Sequence, residues 1–337
     1  MFLLLAFFTS FFMCYFLIKY SHKKKVFIDC HESDKPQRFH SEPTPRIGGV
    51  GIFVASLASI FFSFGLAVFF AAAVAFVSGI LEDLTGRLSQ RRRLIIQSIG
   101  ALIFVLVGGY YLKTIGMGFE FPYMVAVIFT VFAIVGVTNA INIIDGLNGL
   151  AGGVSLFAFL SFATLSYMLK DTEALFVCLS LAAAILGFLV FNFPKGKIFL
   201  GDGGAYFLGF MLAIIAVMLV ARQGKVSAWF FLAVLIYPIW EVVFSIIRRR
   251  MADGKKAMGA DKMHLHHVLM RSLKISNPKA ALVTVLSFLP FQVLPLLFYN
   301  KGIVLLGLAL LFIALYQLAY FYLTKIFIFS KKHNNKE

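Results

Sequence analysis

The sequence predicts an all-α fold: a polytopic membrane helical bundle of about 11 transmembrane helices, with the N-terminus outside and the C-terminus cytoplasmic. Three observations predict it. The 337 residues are 61% hydrophobic and only 14% charged, more apolar surface than a soluble fold of this size requires. Apolar stretches of about 20 residues recur along the whole chain. The Lys and Arg residues divide unevenly between alternate connections, and such residues mark cytoplasmic loops.

The first stretch, 1–20, runs into Lys23, Lys24 and Lys25 with no small-residue cleavage site, so it reads as a retained helix and not a signal peptide. Stretches 47–64 and 65–81 form a tight hairpin around Gly65. Further spans fall near 94–112, 122–140, 148–169, 174–193, 204–221, 227–247, 280–299 and 302–327. Tyr237, Pro238 and Glu241 make the ninth a candidate for a kinked, site-facing helix; Glu241 is otherwise expected to pair with Arg248 or its neighbours. With the N-terminus outside, 26 of the 31 Lys and Arg fall on the inner side. Only Lys113, Lys170, Arg222, Lys225 and Lys301 stay outside, and among acidic residues only Glu120, Asp171 and Glu173.

The net charge of +16 is therefore loop charge, and no basic run is interleaved with a soluble fold, so nucleic acid is excluded as a partner. Cys14, Cys30 and Cys178 have no paired spacing and read as inert thiols. The longest inner loops have about 30 residues, too few for an independent core. Residues 1–337 are thus expected to form a single integral membrane domain whose active site lies on inner loops 21–46, 82–93, 139–149, 192–204 and 248–279.

Five polar patches occupy those loops. In NAINIIDGLNGLAGG, Asn139, Asn142 and Asp145 recur at intervals of three, the spacing that shares one helix face, and Asn148 adds an amide. Polar groups at such depth normally face a site, although a bonded helix junction is the plainer alternative. In FNFPKGKIFLGDGGAYFLG, Asp202 sits among glycines at a helix start. It either caps that helix or holds Mg²⁺ against phosphates approaching free N–H groups. GILEDLTGRLSQRRRL offers adjacent Glu82 and Asp83, able to bind Mg²⁺ or supply a base, or else simply answering Arg87 and Arg91 to Arg93. Those arginines also suit lipid phosphates. DKMHLHHVLMR places His264, His266 and His267 with Arg271, better suited to a diphosphate than to zinc because no fourth ligand is apparent. HSEPTPRIGGVG contributes Thr44 and Arg46 before Gly48 and Gly49 at another inner helix start.

Together these motifs resemble the polyprenyl-phosphate N-acetylhexosamine-1-phosphate transferases over nearly the whole chain, and most the branch using undecaprenyl phosphate and N-acetylglucosamine 1-phosphate. The resemblance implies a UDP-N-acetylhexosamine donor, an undecaprenyl phosphate acceptor, release of UMP and a Mg²⁺ cofactor, with Mn²⁺ as substitute. It implies Asp202 and Asp145 as the metal residues and Glu82, Asp83, Asp145 and Asp202 as the catalytic carboxylates. Asn142 and Asn192 match groups near the nucleotide sugar, and Phe199 an aromatic on uracil. His264, His266, His267 and Arg271 match a loop over the diphosphate. Glu82-Asp83 stands where the family has two aspartates, so the division of roles between them stays open. Asn148 stands where many relatives carry an aspartate. The implied setting is a bacterial inner membrane, at the first membrane step of a surface polysaccharide such as O-antigen; a homodimer is left open. Direct transfer on Mg²⁺ is expected, with an aspartyl intermediate as the competing scheme.

Two rivals fit less well. A secondary transporter would carry midplane polar groups and internal repeats, neither of which is visible. The relative acting on UDP-MurNAc-pentapeptide carries GTPTMGG and three consecutive histidines, where this chain has PTPRIGG and HLHH.

Overall fold

The computed structural model describes residues 1–29, 43–116, 118–252 and 263–334. Cys30 and stretches 30–42 and 253–262, within the first and last loops expected on the inner side, lie outside the described residues. The described chain forms α1 (Phe2–Lys24), β1 (Ile28–Asp29), β2 (Thr44–Pro45), α2 (Gly49–Thr85), α3 (Gln90–Leu106), α4 (Tyr123–Ile144), α5 (Leu150–Met168), α6 (Thr172–Asn192), α7 (Gly201–Gln223), α8 (Ala228–Val234), α9 (Ile236–Ala252), α10 (Leu265–Ser272), α11 (Asn277–Val293) and α12 (Gly302–Asn334). A 3₁₀ turn, Leu294–Phe298, follows α11. Helices dominate because an apolar medium offers backbone N–H and C=O groups no other partner. Eight of these helices are long and apolar enough to cross a membrane, or nine when α8 and α9 count as one bent crossing. The protein is a multi-pass membrane protein.

The centre of the bundle is α7, packed against α2, α4 and α5. Every residue from Gly203 to Leu219 is buried, as an all-round apolar helix demands. In lipid, helices associate through close packing more than by escaping water, so small residues mark the contacts. A Cβ on Gly49 would lie 2.2 Å from the Gly204 Cα, and one on Gly79 would lie 2.4 Å from the Asp202 carbonyl.

Those two contacts also show that α2 reverses. Gly65 takes φ +79°, a left-handed value open to glycine. The rings of Phe53 and Phe76 stack with centroids 4.0 Å apart. In a straight helix those 23 positions would be about 35 Å apart. The expected hairpin is therefore present, as two arms of one continuous element.

Other expected segments shift. The stretch 94–112 is helical only as α3, from Gln90 to Leu106, and the chain turns at Gly108 and Gly109, with Gly109 at φ +77°. The expected ninth helix breaks at Leu235, and its halves meet at 76°. Pro238 is not the break: it is the third residue of α9, within the first turn, where no intrahelical N–H is needed.

Candidate active site

Three chain segments converge on the start of α7. The run 45–49, from the end of β2 into the start of α2, lies beside 199–200: Phe199 N–H donates to Pro45 O, and Gly48 and Gly49 N–H donate to Phe199 O and Leu200 O. β2 pairs with β1 on its other side, Ile28 opposite Pro45. This ladder sets Arg46 beside Asp202. From the second arm of α2, Asp83 reaches the same place. Gly201 makes the approach feasible: it takes φ +75°, and a Cβ there would lie 2.7 Å from the Asp83 carboxylate.

The carboxylates divide their tasks in an unforeseen way. Asp202 does not cap α7. Asp83 does: its Oδ1 accepts from Asp202 N–H at 3.0 Å and its Oδ2 from Gly203 N–H at 2.9 Å. These are N–H groups that no preceding turn can satisfy, at the positive end of the helix dipole. The Asp202 carboxylate is thereby left to face outward. Its Oδ2 accepts from Arg93 at 2.8 Å, and its Oδ1 from Asn142 at 3.1 Å and Arg46 at 3.4 Å. The same Arg93 nitrogen donates to the Tyr206 hydroxyl at 3.0 Å. Glu82 lies at the edge of this group: its charge reaches Tyr206, and its Oε2 accepts Leu88 N–H at 2.8 Å, closing the α2–α3 turn.

Asp145 ends α4, with backbone values (φ −77°, ψ 53°) that leave the helix. Among the described residues its carboxylate has no hydrogen bond. Burial pushes its pKa up, opposed by Arg46 and reinforced by the charges of Asp202 and Asp83. Three carboxylates thus share one neighbourhood. No three His, Cys, Asp or Glu side chains among the described residues form a complete metal cage. Mg²⁺ does not require one, since it keeps several waters and takes one or two carboxylates plus substrate phosphates. An unbonded Asp145 beside Asp202 fits that demand.

The histidine segment packs against Gly146, the residue after Asp145. A Cβ on Gly146 would lie 2.9 Å from His266 Nε2 and 3.1 Å from His267 Nε2. His266 Nε2 is buried with no partner among the described residues, while its Nδ1 pairs with the Tyr237 hydroxyl at 3.1 Å. Burial, then the neighbouring His267 and His264, hold the His266 pKa well below the usual histidine value, so the ring is neutral near pH 7. His264 is turned away. Its Nδ1 meets Glu241 Oε1 at 2.9 Å. Glu241 therefore bonds histidine, not the expected Arg248. Arg271 lies half-buried in the last turn of α10.

Several expected site residues brace loops instead. Asn192 commits its amide to backbone, accepting from Gly149 N–H and donating to Ile198 O. Asn148 donates to Pro194 O, and its own N–H donates to Asn277 Oδ1. Asn139 donates to Gln97 Oε1 at 2.7 Å, one turn from Asn142 but not at Asp202. Thr44 is buried within β2, and Phe199 is half-buried beside it.

Sequence reasoning did not single out Arg93, Gln97, Tyr206 or Asn277 as site residues. A signal existed for two of them. Arg93, Gln97, Gly100 and Phe104 recur at intervals of four, three and four, and Gln97, Gly100 and Phe104 are buried, so Arg93 is the one arginine of its run on the inward face.

Known proteins resemble this chain over most of its length. The profile of glycosyl transferase family 4 matches residues 65–220, from the Gly65 turn to the end of α7. An undecaprenyl-phosphate alpha-N-acetylglucosaminyl 1-phosphate transferase of Thermotoga maritima is 33% identical over 279 residues, 81% of this chain and 82% of the relative. Its namesake from Haemophilus influenzae is 33% identical over 277 residues, 75% and 76% of the two chains. That of Escherichia coli K12 is 28% identical over 273 residues, 74% and 72%. With identity of this level over most of both chains, and with the matched segment carrying Asp83, Asp145 and Asp202, the chain belongs to glycosyl transferase family 4.

Proposed function

We propose that the protein transfers N-acetylglucosamine 1-phosphate from UDP-N-acetylglucosamine to undecaprenyl phosphate and releases UMP. The relatives' names support this donor group and acceptor. The observation that carries the chemistry is the meeting of Asp83, Asp145 and Asp202 at the start of α7, opposite His266 and His267. A phosphate oxygen of the lipid attacks the β-phosphorus of the nucleotide sugar. The new P–O bond forms as the bond from that phosphorus to the oxygen bridging the α-phosphate breaks, and UMP leaves with the electron pair.

Both reactants are anions, so the barrier is chiefly one of positioning and charge. Asp202 and Asp145 would hold Mg²⁺, with Mn²⁺ as substitute, and the ion would neutralise charge on the phosphate oxygens. Asp83 holds the helix start that aims Asp202. Arg46 and Arg93 offer guanidinium groups to phosphate in planar, two-point geometry. Neutral His266, with His267 beside it, provides hydrogen bonds over the diphosphate. No strong base is required, because a phosphate monoester is already ionised near pH 7. On this reading the reaction runs at the inner face of a bacterial cytoplasmic membrane, as the first membrane step of a surface polysaccharide such as O-antigen.

The test uses membranes containing the protein, labelled UDP-N-acetylglucosamine, undecaprenyl phosphate and Mg²⁺. Label should enter the lipid with equimolar UMP, and both should require the divalent ion. Uptake of the nucleotide sugar without UMP formation would replace this reading with a transporter. A phosphorylated carboxylate trapped in a single turnover would replace direct transfer with a two-step route.

A further inference from the structure

The carboxylate of Glu241 is 1% exposed and lies outside the Asp83–Asp145–Asp202 group. Burying a carboxylate is costly unless it is fully hydrogen-bonded. Glu241 has three donors or partners. Its Oε1 accepts Leu265 N–H at 3.2 Å and meets His264 Nδ1 at 2.9 Å. Its Oε2 accepts the Tyr316 hydroxyl of α12 at 2.9 Å. One turn earlier on α9, Tyr237 holds His266 Nδ1 at 3.1 Å. Tyr237, His264, His266 and Tyr316 are all buried. Positions four apart on α9 therefore grip positions two apart at the start of α10.

The short helix needs such a grip. α10 has only eight residues, too few to hold itself without tertiary contacts. Its N-cap residue, His264, gives no side-chain hydrogen bond to the helix. The first N–H of α10, from Leu265, is taken by Glu241 from a different helix. A bend of 76° at Leu235 separates α9 from α8, and the α9 side chains Tyr237 and Glu241 reach α10. Asp83 does the same for α7 at the other pole of the site. Each short-range arrangement of reactive side chains thus hangs on a carboxylate borrowed from elsewhere in the fold.

We infer that Glu241 is a positioning residue for the transfer reaction: anchored by Tyr316, it caps α10 from outside and fixes His266 and His267 against the Asp145-Gly146 turn. The catalytic part of this inference rests on the reaction proposed above; the structural part does not.

The experiment uses the full-length protein in lipid nanodiscs and two readouts. Amide hydrogen exchange is followed over 264–272, with α5 to α7 as internal reference. Turnover is followed as UMP release, with kcat and KM separated. Glu241→Ala should speed exchange at 264–272 at least tenfold while α5 to α7 stay unchanged. It should lower kcat at least tenfold and leave KM for undecaprenyl phosphate within threefold, because the lipid is not what the clamp touches. Glu241→Gln keeps an acceptor for Leu265 N–H and should restore protection to within threefold of the natural protein. Tyr316→Phe removes only the anchor and should speed the same exchange, which keeps the test alive should Glu241→Ala fail to fold. Unchanged exchange at 264–272 in Tyr316→Phe, or a kcat loss in Glu241→Ala that Glu241→Gln does not recover, overturns the inference. A natural protein that releases no UMP, with the exchange shifts still present, overturns the reaction and leaves the positioning of α10 supported.

Discussion

The two ends of α7 carry the same ingredients in different arrangement: carboxylates outnumber arginines by one at each. At the start, Asp202 stands among Arg46, Arg93 and Asn142, with Asp83 and Asp145 adding two further carboxylates. At the finish, about 30 Å away along the helix axis, Arg222 stands among Asp171, Glu173 and Tyr110. At that far end every group has a conventional partner. Asp171 also caps α6 through Ala174 N–H at 3.0 Å, and the Arg222 guanidinium lies 5.2 Å from the Tyr110 ring centroid. The near end leaves one group over: Asp145 has no hydrogen bond among the described residues, and Asp202 and Asp83 repel it while Arg46 attracts it. Paired charge closes a structure. A carboxylate left without a hydrogen bond among like charges, held in place by glycines that let backbones touch, is a readiness to bind something of opposite sign.

The largest effect should come from removing the centre of the near cluster. Asp202→Asn keeps the shape and can still accept from Asn142. It should reduce UMP release about 10³-fold or more, the scale of removing a key charge in phosphoryl transfer. Melting temperature should change little, because Asp83 still caps α7. A large loss of stability with activity kept would invert the assignment of Asp202 and Asp83.

Arg93→Ala should come next. Arg93 bridges Asp202 and Tyr206, so its loss should cost on the order of 10²-fold in kcat, with partial recovery in Arg93→Lys. Lysine restores the charge but not the planar fork. Arg91→Ala, on the exposed side of the same helix, should remain within threefold. Equal losses at both positions would show that the run acts as a diffuse lipid-attracting patch and that the near cluster does not single out Arg93.

A smaller effect is expected from pH. The folded His266 pKa lies well below its unfolded value, chiefly because of burial. The folded state therefore binds fewer protons than the unfolded state once pH drops below about 6.5. The contribution of His266 is fully present above that pH and is lost as pH falls toward the folded value. One proton sets a limiting slope of about 1.4 kcal/mol per pH unit. Melting temperature should fall between pH 7 and pH 5, and less steeply in His266→Gln. A slope that His266→Gln leaves unchanged would place the acid sensitivity elsewhere.

Much of this contrast was legible in the sequence, and the part that was not has a physical reason. Lipid exposure and backbone demand write apolar stretches and polar interruptions directly into composition, so the helices and the five patches could be read off. Asp145, Asp202, Asn142, Arg46 and two histidines were named from their patches, and the structure brings them together. What composition cannot write is which way a residue turns. Asp83 and Asp202 look alike as letters, yet one satisfies helix N–H groups and the other faces outward. Glu241 reads as an acidic residue near basic neighbours, because His264 and Tyr316 are 23 and 75 positions away. The bend was expected at Tyr237-Pro238 and falls at Leu235, because proline is harmless in the first turn of the helix it starts.

The far end gives the smallest effect and the sharpest control. Arg222 is about a quarter exposed, and Glu173 more than half. Solvent screening therefore limits the Arg222–Glu173 pair to a fraction of a kcal/mol. The closer tie is to Tyr110, whose hydroxyl accepts from two Arg222 nitrogens at 3.1 and 3.0 Å and joins the α3–α4 connection to the end of α7. Arg222→Ala should thus lower stability by about 1 kcal/mol, seen as a small drop in melting temperature, and leave turnover within threefold. Tyr110→Phe should reproduce part of that drop, since the ring contact survives and only the two hydrogen bonds go. The contrast depends on the two ends being energetically separate, and Arg222→Ala tests that separation. Turnover lost tenfold, with the helix start about 30 Å from the change, would mean that α7 transmits strain along its length and that both ends belong to one working unit.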